Sequence, residues 1–189
     1  MKPKSWLSVV SVLTVASLVW AEEPLVSGPK VGSFPGMYPV VYSTGADRGR
    51  MKCLFCETGD RPAVVVFARK PGDMLGKLVA KLDSALAEHK AAQLRSWVAF
   101  ISKDQESLDP QLVRWSKQHA LKSLPVGTYV DQNEGGPENY LLAREADVTV
   151  VMLVKQKVVG TFAFRGRELT DEAVTQVLQA VPRLVEKKL

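Results

Sequence analysis

The sequence predicts an α/β protein, a three-layer sandwich around a central mixed sheet, and three observations carry that expectation. Unbroken runs of β-branched residues, the mark of strands buried on both faces, recur along the chain. Between them lie segments whose apolar residues return at helical spacing. The last two runs are separated by so short a connection that they must form an antiparallel hairpin.

The elements follow in order. Residues 22 to about 45 are rich in Pro, Gly and Ser, with one alternating apolar patch at Tyr38-Pro39-Val40-Val41-Tyr42. They read as an ordered N-terminal extension that contributes a short edge strand. Thr44 to Arg50 is turn chemistry, Cys53 and Cys56 follow at once, and Thr58-Gly59-Asp60-Arg61-Pro62 is a second turn. Ala63–Ala68 is a continuous apolar run and the first core strand. Pro71-Gly72-Asp73 leads into a helix whose inner face is Leu75, Leu78, Val79, Leu82 and Leu86. Trp97–Ile101 is the next strand. Asp109-Pro110 reads as an N-cap followed by Pro at the first helical position, with the helix running to about Ala120.

Val126–Val130 forms a third strand that ends at Asp131, and Gly135-Gly136-Pro137 opens a short helix through Leu142. Val148–Val154 and Val158–Phe164 make the hairpin, joined across Gln156-Lys157. The last helix starts near Thr170, with Asp171 and Glu172 suited to the positive end of its dipole. Its stripe is Val174, Val177, Leu178, Val181, Leu184 and Val185. Pro182 should kink it, and Lys187 and Lys188 close it. The order β-α-β-α-β-α-β-β-α implies parallel neighbours with right-handed crossovers and a C-terminal antiparallel hairpin.

The N-terminus carries the grammar of a secretory signal. Lys2 and Lys4 precede an uncharged, mostly apolar run from Trp6 to Leu18, and Val19-Trp20-Ala21 places small residues at the −3 and −1 positions. Cleavage after Ala21 is expected, with an exported, periplasmic or secreted mature chain. The run is shorter than the roughly 20 residues that span a bilayer, so no stable membrane insertion is expected once the signal is removed. The domain plan is a signal peptide over 1–21, the extension over 22–50 and one compact domain over 51–189. The formal net charge of +5 includes Lys2 and Lys4. No basic block or aromatic-interleaved basic stripe remains, which argues against a nucleic-acid partner.

This order resembles the thioredoxin superfamily, and more narrowly its peroxiredoxin-like (redoxin) branch. The strand ending at Asp131, followed by Gly135, Gly136 and Tyr140, is similar to the redoxin segment of strand, Asp, Gly-rich turn and short helix with Tyr. Val148-Thr149-Val150-Val151 with Val158-Val159 resembles the closing hairpin. Val31-Gly32 through Gly49-Arg50 resembles the N-terminal extension. The resemblance covers about residues 31 to 186 and implies a thioredoxin-like fold.

The sequence departs from the family at its chemistry. Peroxiredoxins carry the attacking cysteine, and thioredoxins Cys-x-x-Cys, at the start of the first core helix. Here that corner reads Arg69-Lys70-Pro71-Gly72-Asp73-Met74-Leu75-Gly76, without cysteine. The cis-proline that precedes the thioredoxin hairpin has no counterpart in Glu145-Ala146-Asp147-Val148-Thr149. The chain is therefore not expected to be a typical peroxiredoxin.

Cys53 and Cys56 are the whole thiol inventory. By the resemblance they lie at the end of the first core strand opposite the usual catalytic rim. Three readings stay open. The leading one is an exchanging disulfide acting on another protein's thiol or disulfide, with either cysteine as nucleophile. Lys52 or Arg50 would depress a thiol pKa, and Leu54 and Phe55 would give a partner an apolar face. The alternative is a non-catalytic thioredoxin-fold binding or structural domain whose cysteines form a structural staple, although so short a loop constrains the unfolded chain little. The third is a metal pair, poorly supplied with ligands because only His89 and His119 remain, each read as a solvent-facing residue near a helix C-terminus. Haem attachment is excluded because residue 57 is Glu, and no cofactor is expected. Asp131, Asn133, Glu134 and Glu138 lack EF-hand spacing and read as a turn and helix cap. Trp97 and Trp115 are expected in the core.

Overall fold

The computed structural model describes residues 23–132 and 134–186. The expected signal peptide, Asn133 and the closing Lys187 and Lys188 lie outside the described residues. Strands β1 (Val40–Tyr42) and β2 (Met51–Lys52) lead into a five-residue helix, α1 (Leu54–Thr58). Then come β3 (Ala63–Ala68), α2 (Asp73–Glu88), β4 (Arg95–Ser102), α3 (Gln105–Gln118) and β5 (Val126–Val130). The chain ends with β6 (Val148–Val154), β7 (Lys157–Phe164) and α4 (Asp171–Glu186).

The seven strands form one mixed sheet in the order β2-β1-β5-β4-β3-β6-β7. β3, β4 and β5 are parallel, whereas β6, β7 and β1 each run antiparallel to a neighbour. This is the expected α/β sheet with its C-terminal hairpin. Every residue of β3 and of β6 is buried, as the unbroken apolar runs require.

The two crossovers from β3 to β4 and from β4 to β5 travel in one direction, so right-handed connections put α2 and α3 on the same face. Val64, Val66 and Ala68 of β3 face the cluster formed by α2, α3 and α4. The alternate residues Ala63, Val65 and Phe67 face a second cluster, built by Tyr38, Val40, Tyr42, Leu54, Phe55 and Tyr140. The layer on that second face is thus the extension, α1 and a 3-10 turn, with no long helix among the described residues. The Trp97 indole donates to the Tyr38 hydroxyl at 2.8 Å in its centre.

Several expectations are corrected. The strand at Tyr38–Tyr42 is shorter and is not an edge, because β2 pairs outside it. α3 begins at Gln105, capped by the Asp104 carboxylate, which accepts from the Ser107 amide at 3.0 Å. Leu108 belongs to the same apolar stripe as Leu112 and Trp115, so the helix gains a turn ahead of Pro110. Pro110 sits inside it and forgoes one hydrogen bond. The helix expected through Leu142 is only a 3-10 turn at Glu138–Tyr140, closed by Leu141 in the left-handed conformation. The hairpin turns on Lys155 and Gln156, both at positive φ, which lets β7 start at Lys157. α4 continues through Pro182 to Glu186.

His119 is not solvent-facing. Its side chain is 14% exposed, with Nε2 3.8 Å from Asp73. The ring occupies the space left by Gly76, where an added Cβ would meet Nε2 at 2.2 Å. His89 is half-buried at the end of α2. Both tryptophans are buried as expected.

Candidate functional site at the Cys53–Cys56 disulfide

The segment that holds the cysteines folds because its apolar residues have somewhere to go. Leu54, Phe55 and Thr58 of α1 are buried against the second cluster. Gln156 at the hairpin turn donates to the Phe55 carbonyl at 3.1 Å, tying α1 to the sheet. Cys53 is the N-cap residue, and its Sγ accepts from the Cys56 amide at 3.2 Å. The two sulfurs are joined as a disulfide.

The two cysteines are not equivalent. Cys56 is exposed, whereas Cys53 is half-buried and contacts the second cluster. The expected apolar face from Leu54 and Phe55 is corrected: they are 7% and 1% exposed and belong to the core. The exposed apolar residues nearby are Met51, two positions before Cys53, and Phe34, whose ring meets Phe55 edge-on at 5.3 Å.

Lys52 is not a free cation for the thiols. Its Nζ lies 2.8 Å from Asp47 and 3.6 Å from Glu57. The hydrogen bond to Asp47 chiefly raises the lysine pKa. Glu57 also lies 3.8 Å from Arg95. Beneath this charged rim Tyr42 is 1% exposed, and its hydroxyl has no hydrogen-bond partner among the described residues. Burial, followed by the negative charge of Glu57, raises its pKa, so it stays a protonated donor.

The disulfide precedes β3, while the corner Arg69-Lys70-Pro71-Gly72 follows it. Six residues of strand put these ends about 20 Å apart. At the far corner Arg69 has a structural task. Its guanidinium donates to the carbonyls of Ala146 at 3.0 Å, Glu134 at 2.6 Å and Ala143 at 2.9 Å. Arg69→Ala leaves these carbonyls without that donor, and we expect a loss of about 2–3 kcal/mol, read by urea unfolding. An unchanged midpoint would show that water replaces the guanidinium without cost. There is no cis peptide bond among the described residues, including the stretch before β6.

Asp131 closes a turn, its carboxylate accepting from the Gly136 amide at 2.6 Å, whereas the 3-10 turn that follows begins after Pro137 with no side-chain cap, so the expected helix cap is corrected. No group of three or more His, Cys, Asp or Glu residues placed to hold a metal occurs among the described residues. No helix among them is long and apolar enough to cross a membrane.

No protein-family model matches the sequence, and no curated protein does. Solved structures do match. One is a candidate protein disulfide isomerase from Bacteroides thetaiotaomicron, 12% identical, with a TM-score of 0.63 over 86% of this chain and 95% of that one. Another is a candidate thiol:disulfide interchange protein DsbE from Chlorobium tepidum, 13% identical, with a TM-score of 0.56 over 80% and 98%. A third is peroxidoxin BcpB from Mycobacterium tuberculosis, 15% identical, with a TM-score of 0.53 over 80% and 97%. At these identities the likeness shows the fold alone. The chain has a thioredoxin-like fold, and its corner Arg69-Lys70-Pro71-Gly72 after β3 carries no cysteine.

Proposed function

We propose that the chain is an exported thiol-disulfide exchange protein working through Cys53 and Cys56. The observation that carries this reading is the asymmetry of the pair: an exposed Cys56 bonded to a half-buried Cys53 whose sulfur already accepts a backbone amide. Exchange needs an attackable sulfur and a leaving thiolate that is stabilised. A thiolate from a partner protein attacks Cys56 Sγ, the Cys53–Cys56 bond breaks, and Cys53 leaves as a thiolate held by the Cys56 amide. A second partner thiolate then attacks the partner sulfur of the mixed disulfide. The partner is oxidised to a disulfide, and the two cysteines end as thiols after taking up protons. Run in reverse, the same steps reduce a partner disulfide.

Export rests on the N-terminal signal grammar, and the division into signal, extension and domain is part of the same proposal. The test is the equilibrium reduction potential of the pair in the mature protein, read by mass spectrometry of trapped thiols. A value of roughly −120 to −270 mV is expected for an exchanging pair, whereas one below about −300 mV would make the bond a structural staple. The second outcome would favour the alternative, a non-catalytic binding domain on the same fold.

A further inference from the structure

β7 forms one edge of the sheet. Along an antiparallel ladder, alternate residues turn their N–H and C=O groups toward the neighbouring strand and away from it. The Phe164 carbonyl accepts from the Asp147 amide beside β6, so Phe164, and with it Phe162 and Gly160, turns inward. Thr161 and Ala163 therefore present their groups outward, and neither has an outward partner among the described residues. The extension covers only the start of this edge. Val158 donates to the Ser33 carbonyl at 2.9 Å, and its own carbonyl accepts from Gly32 at 2.7 Å. Exposed edges are ordinarily blunted by charge or proline. From Val158 to Phe164 the strand has neither, and the register shift at Met152/Leu153 lies ahead of Thr161.

Behind the open stretch, on the face covered by α2, α3 and α4, lies a hollow of about 220 Å³ between β7 and α4. It exists because Gly160 has no side chain and Ala180 has a short one. A Cβ built on Gly160 meets nothing within 4 Å. Phe162 and Leu184 help to wall the hollow, and the exposed Arg183 lines it. Arg183 has no ion-pair partner among the described residues.

The edge and the hollow together specify an occupant. Outward N–H and C=O groups on alternate residues are matched in spacing by another extended backbone. In an added strand, the residues opposite Gly160 and Phe162 place their side chains on the helical face. An apolar side chain there enters the space that Gly160 leaves. A carboxylate two residues from it meets Arg183. β7 itself carries no carboxylate, so a second copy paired through this edge would bring none to Arg183 from its strand.

We infer that the open edge of β7 binds an extended segment of a partner protein as an added antiparallel strand, with an apolar side chain in the Gly160 hollow and an acidic one, two residues away, at Arg183. This surface involves neither cysteine and stands whether or not the pair exchanges.

The probe is the blocked peptide Glu-Thr-Leu-Thr-Glu, with calorimetry for affinity and residue-resolved hydrogen exchange for location. Binding should slow exchange of the Thr161 and Ala163 amides and leave that of Phe162, already paired to β6, unchanged. Methylating both threonine nitrogens of the peptide removes donors that face β7 and should weaken binding about tenfold. Gly160→Leu fills the hollow from a position with free space, and should weaken binding about tenfold at an unchanged urea midpoint. The wild type should prefer this peptide to Lys-Thr-Leu-Thr-Lys by about threefold, the worth of an exposed ion pair, and Arg183→Glu should reverse that preference. Absent binding to the wild type, equal binding of the methylated peptide, or protection elsewhere than at Thr161 and Ala163 would overturn the proposal. So would a wild-type dimer in sedimentation equilibrium that Gly160→Leu dissociates, since a second copy would then be what covers the edge.

Discussion

Cys53→Ser and Cys56→Ser are expected to abolish turnover alike and yet differ sharply in the intermediate they collect. Neither variant can close the internal disulfide, so catalytic oxidation of a dithiol should fall to the uncatalysed rate. The difference lies in access. Cys53→Ser leaves the exposed Cys56 as the only thiol, whereas Cys56→Ser leaves the half-buried Cys53. With glutathione disulfide, mixed disulfide should form on the first variant about tenfold faster, because thiol reactivity follows exposure as well as thiolate content. The amide that Cys53 accepts works the other way, favouring its thiolate while lowering its nucleophilicity. In the wild type, acid trapping after brief treatment with glutathione should place the adduct on Cys56. An adduct chiefly on Cys53 would reverse the assignment of attacked and leaving sulfur, and equal labelling of both would remove the asymmetry as the basis of the mechanism.

That asymmetry was only partly legible before the fold was known. The pair itself stands out in any reading, since it exhausts the cysteines of the chain. Their unequal exposure does not, because it depends on α1, whose five residues are too few to show helical periodicity. The same five residues are held by tertiary burial of Leu54, Phe55 and Thr58, and a local pattern carries no trace of that. Strands β3, β4 and β6 were legible because burial on both faces demands long apolar runs, whereas β5, with Gly127 and Thr128 inside it and Val130 exposed, shows only the β-branched bias. β2, at two residues, has no pattern to read. The start of α3 was obscured by two competing caps, Asp104 and Asp109, and the earlier one wins because it adds Leu108 to the buried stripe. His119 was misread because its partner, Gly76, lies on another helix. Tyr42 joined the site only through the pairing of β1 with β5, which brings it beneath the rim of α1.

That pairing is the point at which the fold and the site depend on one another. Val41 pairs with Thr128 and Tyr42 with Gly127, and an added Cβ on Gly127 would lie 2.4 Å from the Val41 carbonyl oxygen and 2.6 Å from a Val40 methyl. The first obstacle is main chain, which cannot rotate aside. Gly127→Ala must therefore push β1 away from β5, and we expect a loss of about 3 kcal/mol, the upper part of the range for overpacking a core. The damage should be unevenly spread. β3, β4 and β6 keep their own ladders, whereas β1 carries β2 with it, and β2 leads directly into Cys53. Urea unfolding should report the global loss. Hydrogen exchange should report faster opening of residues 40–52 than of β3 or β4. A variant as stable as wild type, with residues 40–52 equally protected, would mean that β1 tolerates the methyl group. The close strand pairing would then not be what holds Tyr42 beside the disulfide.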